Sequence, residues 1–160
     1  MKNYKKLALT GVFGALIFLG TFILKAPIVY GYIHLGDGFV LLSAVLLGPI
    51  AALPAAFGSA LADLAAGFGP YAPFSLLIKG LMALIVAVRY KGYTATAGGQ
   101  LVRFSLAELL MVAGYFLADN LFWGIGGALA AVPLNFLQAL AGVLVAYLGA
   151  KVIKRNKLSL

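Results

Sequence analysis

Three strong polar side chains stand in otherwise apolar stretches: Glu108, Asn135 and Gln138. Asn135 and Gln138 are three residues apart, so on a helix they share a face. Counted from the ends of their helices, all three come out roughly 15–20 Å deep. A carboxylate facing two amides offers several donors and acceptors within one apolar cavity. A small polar heteroaromatic ring or an amino-alcohol would satisfy them, and so would a hydrogen-bond clamp between two helices. Lys79 and Asp63 form a second pair of candidates. They are expected roughly 10 Å and 6 Å below the ends of adjacent helices. There they either pair with each other or, for Lys79, form the wall of a site. Ionisable groups inside a bilayer are costly and usually face a cavity or a partner.

Aromatic residues crowd the same end of the chain: Tyr30, Tyr32, Tyr71, Phe74, Phe122 and Trp123. They read as a membrane-interface belt or as a stacking lid over the polar cluster. His34 is either a hydrogen-bonding loop residue or a ligand contact. Asp37 follows Gly36 at the start of a helix and reads as an N-cap.

Other chemistries are excluded. There is no cysteine and one histidine, so disulfides, thiolate metal sites and His-rich metal sites are out. No P-loop and no H-E-x-x-H motif occurs. With the single histidine in a loop, no Ser/His/Asp set is credible. The expectation is a protein with no catalytic residues, no cofactor and no metal.

The elements that position these groups follow from composition. Of 160 residues, 64% are hydrophobic and 10% charged, against about 45–50% and about 25% in soluble domains. A spanning helix needs roughly 20 residues, so the chain is a single transmembrane domain, 1–160, with no room for a soluble one. The run from Leu7 to Leu24 is long for a signal sequence and lacks an A-x-A site, so a retained first helix is expected. Breaks at Lys25–Gly38, Gly48-Pro49, Gly67–Pro73, Tyr90–Gln100 and Asp119–Gly127 divide the rest. The expected helices are about 6–24, 37–48, 50–67, 73–89, 101–117 and 128–152. Pro133 falls near the start of the last one, where proline costs least.

The fold class is therefore an all-α six-helix membrane bundle. Twelve Lys and Arg against four Asp and Glu give a net charge of +8. These basic residues lie between apolar runs, so they read as topology signals and not as a nucleic-acid footprint. Ten of the twelve fall on one side: Lys2, Lys5, Lys6, Arg89, Lys91, Arg103, Lys151, Lys154, Arg155 and Lys157. Lys25 and Lys79 are the exceptions. The positive-inside rule then puts both termini in the cytoplasm. Small residues form stripes on helix 1 (Ala8, Gly11, Gly14, Ala15) and helix 3 (Gly58, Ser59, Ala62). Such stripes serve close packing, inside the bundle or against a partner.

Several segments together resemble a known family. They are Tyr32-Ile33-His34-Leu35-Gly36-Asp37-Gly38, Leu46-Leu47-Gly48-Pro49, Gly58-Ser59-Ala60-Leu61-Ala62-Asp63-Leu64, Tyr71-Ala72-Pro73 and Ile78-Lys79-Gly80-Leu81. Ala107-Glu108-Leu109-Leu110-Met111, Gly114-Tyr115-Phe116 and Pro133-Leu134-Asn135-Phe136-Leu137-Gln138 continue the pattern. Their order and spacing resemble the substrate-binding S-components of energy-coupling factor (ECF) vitamin transporters. Within the riboflavin-transporter-like superfamily they are most similar to members assigned to hydroxymethylpyrimidine or pyridoxine.

The resemblance implies a prokaryotic plasma-membrane subunit that captures a vitamin or precursor on the outer face. It implies two kinds of partner, a membrane T-component and a pair of cytosolic ATPases. Gly11 and Ala15 occupy the place of the family's T-component contact, with Gly11 where alanine is usual. Glu108, Asn135 and Gln138 would bond the ligand. Tyr71, Phe74, Tyr115 and Trp123 would stack on it or close the pocket. Lys79 would be a wall residue, and His34 would stand in the loop above. Riboflavin or another vitamin is the alternative cargo. A stand-alone proton-coupled carrier or channel using Asp63, Lys79 and Glu108 is the alternative function.

Overall fold

The computed structural model describes residues 3–28, 31–88 and 96–155, with the side chain of Asn3 excepted. Tyr30 and the basic residues Lys2, Arg89, Lys91 and Lys157 of the charge argument lie outside the described residues. The chain is built mainly of helix: α1 (Asn3–Phe22), α2 (Gly36–Leu47), α3 (Ala52–Ala65), α4 (Ala72–Ala87) and α5 (Ala97–Arg155). Among the described residues, four helical stretches are long and apolar enough to cross a membrane: Tyr4–Phe22, Gly36–Ala65, Gly69–Ala87 and Ala97–Arg155.

The breaks expected at proline and glycine are tight turns. Gly48–Ala51 and Gly69–Tyr71 are single 3₁₀ turns, each with proline near its start, where the missing N–H costs nothing. The stretch expected as a Trp/Gly loop, 119–127, is instead helical except at Gly124. At 1.5 Å per residue α5 would measure about 88 Å if straight, nearly three times the hydrocarbon core of about 30 Å. Gly124, at φ 70 and ψ 177, reverses it. That backbone conformation is essentially closed to residues with a Cβ.

The two limbs of α5 then run back along each other. Gln138 Nε2 lies 3.8 Å from Met111 Sδ, and Glu108 packs against Gly142. Pro133 sits inside the second limb, where neighbouring helices can re-satisfy the freed carbonyl.

The segment between α1 and α2, expected as a loop, is a β-hairpin. β1 (Lys25–Ile28) pairs antiparallel with β2 (Gly31–His34), in register from Lys25↔His34 to Ile28↔Gly31. The Leu35 N–H donates to the Leu24 carbonyl at 3.2 Å and closes its base.

Ionisable groups are buried beside an apolar core, and many large apolar side chains face outward. Lys79 and Asp37 are fully buried and Glu108 is 2% exposed, while Leu140 is 69% exposed. A soluble domain has the opposite distribution, and a membrane bundle has this one. Helices α1 and α3 pack closely, because a Cβ on Gly58 would stand 2.9 Å from the Gly14 carbonyl oxygen. This part of the small-residue stripe is internal packing. Gly11 and Ala15 are exposed, and nothing lies within 4 Å of where a Gly11 Cβ would be.

Candidate ligand-binding site

At the hairpin end the bundle opens into a cavity. Four elements line it. The β-hairpin supplies Ile28, Gly31, Tyr32 and His34. The end of α3 and the turn after it supply Asp63, Phe68 and Tyr71. The first limb of α5 supplies Tyr115 and Asp119, and the second supplies Ala131, Asn135 and Gln138. The helical period explains the last three: positions 131, 135 and 138 are spaced to share one face.

Tyrosine hydroxyls hold the wall carboxylates. The Tyr32 hydroxyl donates to Asp63 Oδ1. The Tyr71 hydroxyl donates to Asp119 Oδ1 at 2.6 Å and accepts from Trp123 Nε1 at 2.8 Å. Tyr115 and Ser75 share a hydrogen bond of 2.6 Å. Aromatic rings link the rim, with Tyr32 on Phe68 at 5.0 Å, Tyr71 on Phe122 at 5.0 Å and Phe74 edge-on to Phe122 at 5.5 Å. Such offset and edge contacts are favourable ring geometries.

Gln138 forms the floor and ties it to the hairpin. Its Oε1 accepts from the His34 backbone N–H at 3.0 Å, and its Nε2 donates to Asp37 Oδ2 at 2.6 Å. Asp37 Oδ1 in turn meets Lys79 Nζ at 2.5 Å, and that ammonium lies 5.0 Å from the Tyr115 ring centre. His34 Nδ1 accepts from the Gly36 N–H at 3.1 Å. Burial pushes the His34 imidazole down to about 4; Asp37 pulls it up and Lys79 pushes it down further. The Tyr32 phenol is raised above its ordinary range by burial and by the Asp63 carboxylate beside it.

Two sequence expectations change here. Lys79 pairs with Asp37 and not with Asp63, whose carboxylate takes Tyr32 instead. Asp37 is not an N-cap, since Leu35 holds that position and Asp37 lies buried in the first turn. An N-cap side chain bonds its own helix end, whereas this one reaches across to α4 and α5.

Of the residues singled out from sequence, His34, Tyr71, Tyr115, Asn135 and Gln138 come together around the cavity. Phe74 and Trp123 stand at its rim through Phe122 and Tyr71. Lys79 and Glu108 are not among the lining residues. Glu108 lies a helical turn below Gln138, against Gly142 and beside Asp37. Neither of its carboxyl oxygens has a hydrogen-bond partner among the described residues.

From sequence Asp119 marks only a loop boundary, and Asp63 is an ion-pair partner or a proton-relay residue rather than part of a cavity wall. The signal available for both was scarcity. The chain has four acidic residues, and Asp37, Asp63, Glu108 and Asp119 are all buried. Among the described residues no group of three His, Cys, Asp or Glu could hold a metal ion.

Comparison with known proteins converges on one group. The family described as the ECF-type riboflavin transporter, S component, matches residues 1–155. The chain is 33% identical over 160 residues to the thiamine precursor transporter HmpT of Lactococcus lactis subsp. cremoris (strain MG1363), covering 97% of this chain and 91% of that one. It is 37% identical over 120 residues to an uncharacterized protein of Pyrococcus woesei, covering 74% of this chain and 80% of the other. The buried charges, the outward apolar faces and these matches together make it a membrane protein that belongs to the ECF-type riboflavin transporter S-component family.

Proposed function

We propose that the chain captures a one-ring aromatic vitamin precursor at the outer face of a prokaryotic plasma membrane. Hydroxymethylpyrimidine is favoured, with pyridoxine next. The carrying observation is the cavity under the hairpin. It is walled by tyrosines for stacking, and by Asn135, Gln138 and two carboxylates for hydrogen bonding. Similarity to a thiamine precursor transporter along nearly the whole chain supports the same choice.

In this reading Asn135, Gln138, His34, Tyr71 and Tyr115 contact the ligand. Phe74 and Trp123 close the rim. Lys79 and Glu108 support the floor from below. The bundle crosses the membrane six times, the two limbs of α5 counting as two crossings, with both termini cytoplasmic. Uptake is driven by a T-component, which docks on the exposed face of α1 around Gly11 and Ala15, together with two cytosolic ATPases.

Riboflavin is the second reading, supported by the family description that matches residues 1–155. Purified protein titrated calorimetrically with hydroxymethylpyrimidine, pyridoxine and riboflavin separates the two. Tight binding of riboflavin alone would replace the one-ring reading. Uptake into liposomes by the chain alone, under a proton gradient, would replace both with a stand-alone carrier.

A further inference from the structure

The cavity has an acidic wall and no cationic one. Asp63 and Asp119 both line it, and among the lining residues there is no lysine or arginine. Lys79, the cation beneath, is already taken by Asp37. The two carboxylates are not equivalent. Asp119 is buried against the Tyr71 hydroxyl, which Trp123 also holds. Asp63 is 5% exposed, and only its Oδ1 is taken, by Tyr32. Its Oδ2 is buried and makes no hydrogen bond among the described residues. The nearby Ser75 hydroxyl shares a hydrogen bond with Tyr115 in which either oxygen can donate. A buried carboxylate oxygen left without a donor is costly, and this one belongs to a residue of the cavity wall.

We infer that Asp63 Oδ2 is the anchoring acceptor of the site. It selects planar rings that present an N–H donor, an exocyclic amine or a protonated ring nitrogen, and with Asp119 it rejects phosphate esters of those rings. This rests on the reading that the cavity binds a one-ring precursor. The physical reason is complementarity. An N–H donor to a carboxylate makes a charge-assisted bond, whereas a phosphate would meet two acidic groups and, among the described lining residues, no lysine or arginine. Tyr32 acts as a positioning residue, fixing the carboxylate through Oδ1 so that Oδ2 keeps one direction.

The test uses the full-length protein in detergent and four probes: hydroxymethylpyrimidine, the same ring with its amino group replaced by methyl, its phosphate monoester, and riboflavin. Wild type is expected to bind the amino ring at least about tenfold more tightly than the methyl ring. That is the low end for a hydrogen bond to a charged group. The phosphate ester is expected to bind at least as weakly as the methyl ring. In Asp63→Asn the amino-to-methyl ratio should fall toward one, while Asp119→Asn should preserve it. Asp63→Glu, which keeps the charge but displaces it, should also lower the ratio and serves if the asparagine variant does not fold. An unchanged ratio in the Asp63 variants, or tight binding of the phosphate ester, overturns the inference and leaves one-ring capture standing. If wild type binds riboflavin but neither ring, the one-ring reading falls and the inference falls with it.

Discussion

Lys79 Nζ lies 2.5 Å from Asp37 Oδ1, 42 residues away in sequence, and neither side chain is exposed. The pair joins the start of α2 to the middle of α4, and through Gln138 it also joins the second limb of α5. Breaking a buried pair by removing one partner leaves an uncompensated charge, at a cost of about 3–5 kcal/mol. Lys79→Met and Asp37→Leu should each lower thermal stability sharply in detergent. The double variant should be clearly more stable than the sum of the two losses implies. Simple additivity of the two would mean that the ion pair does not couple these helices.

His34 predicts a pH dependence. Its imidazole titrates at about 4 in the folded chain, against an ordinary value of 6.5, because it is buried. The folded state therefore resists protonation and the unfolded state does not. Stability is complete above about pH 6.5, falls as pH drops through the window down to about 4, and levels off below that. Asp37 and Lys79 face the same ring and act in opposite directions. The loss from this one group cannot exceed one proton, or about 1.4 kcal/mol per pH unit. His34→Gln should flatten the stability profile between pH 6.5 and 4. A profile as steep in the variant as in the parent would assign the transition to another group.

Much of the architecture was legible because glycine and proline punctuate the apolar runs. Gly48-Pro49 and Gly69-Pro70 mark true turns. The region around Trp123 misled because a cluster of glycines reads as a loop, whereas a single residue, Gly124, makes the whole reversal. The hairpin was hidden by Pro27 and Gly31, residues that argue against strand. Asn135 and Gln138 were legible as a pair because they share a helix face. Depth counting placed Glu108 level with them, but packing sets it a turn lower, against Gly142. Asp37 was misread because an acidic residue near a helix start looks like a cap. Its partners lie 42 and 101 positions away, and no local pattern carries that information.

That turn of depth yields a prediction that separates floor from wall. Asn135 lines the cavity, so on the proposed reading Asn135→Ala removes a bond to the ligand. A neutral hydrogen bond is worth about 0.5–1.5 kcal/mol, roughly two- to twelvefold in affinity. Glu108→Gln, below the floor, should change affinity by less than about twofold. Calorimetric titration of both variants with hydroxymethylpyrimidine checks this. A loss from Glu108→Gln larger than that from Asn135→Ala would place the carboxylate in contact with the ligand.

The last prediction concerns coupling to the transport machinery. Gly11 and Ala15 lie one helical turn apart on the exposed face of α1, over an apolar groove shared with Phe57 and Leu61 of α3. The neighbouring Gly14 lines the same groove but also packs against Pro54 and Gly58 of α3. Space beside Gly11 is open, so a leucine there fits without disturbing this chain. Between helices in lipid, association depends on close approach rather than on burial of apolar area, because lipid is as apolar as the partner. Gly11→Leu with Ala15→Leu should therefore hold a docking helix away while leaving the ligand cavity intact. Ligand affinity should stay within about twofold of the parent, and co-purification with the T-component and uptake in cells should both be lost. If the stripe served packing inside the bundle, the double variant would lose stability and ligand binding as well. If the chain transported alone, uptake would need no ATPase partner. Measuring affinity, complex recovery and uptake on this one variant separates the three, and normal recovery with normal uptake would remove α1 as the docking surface.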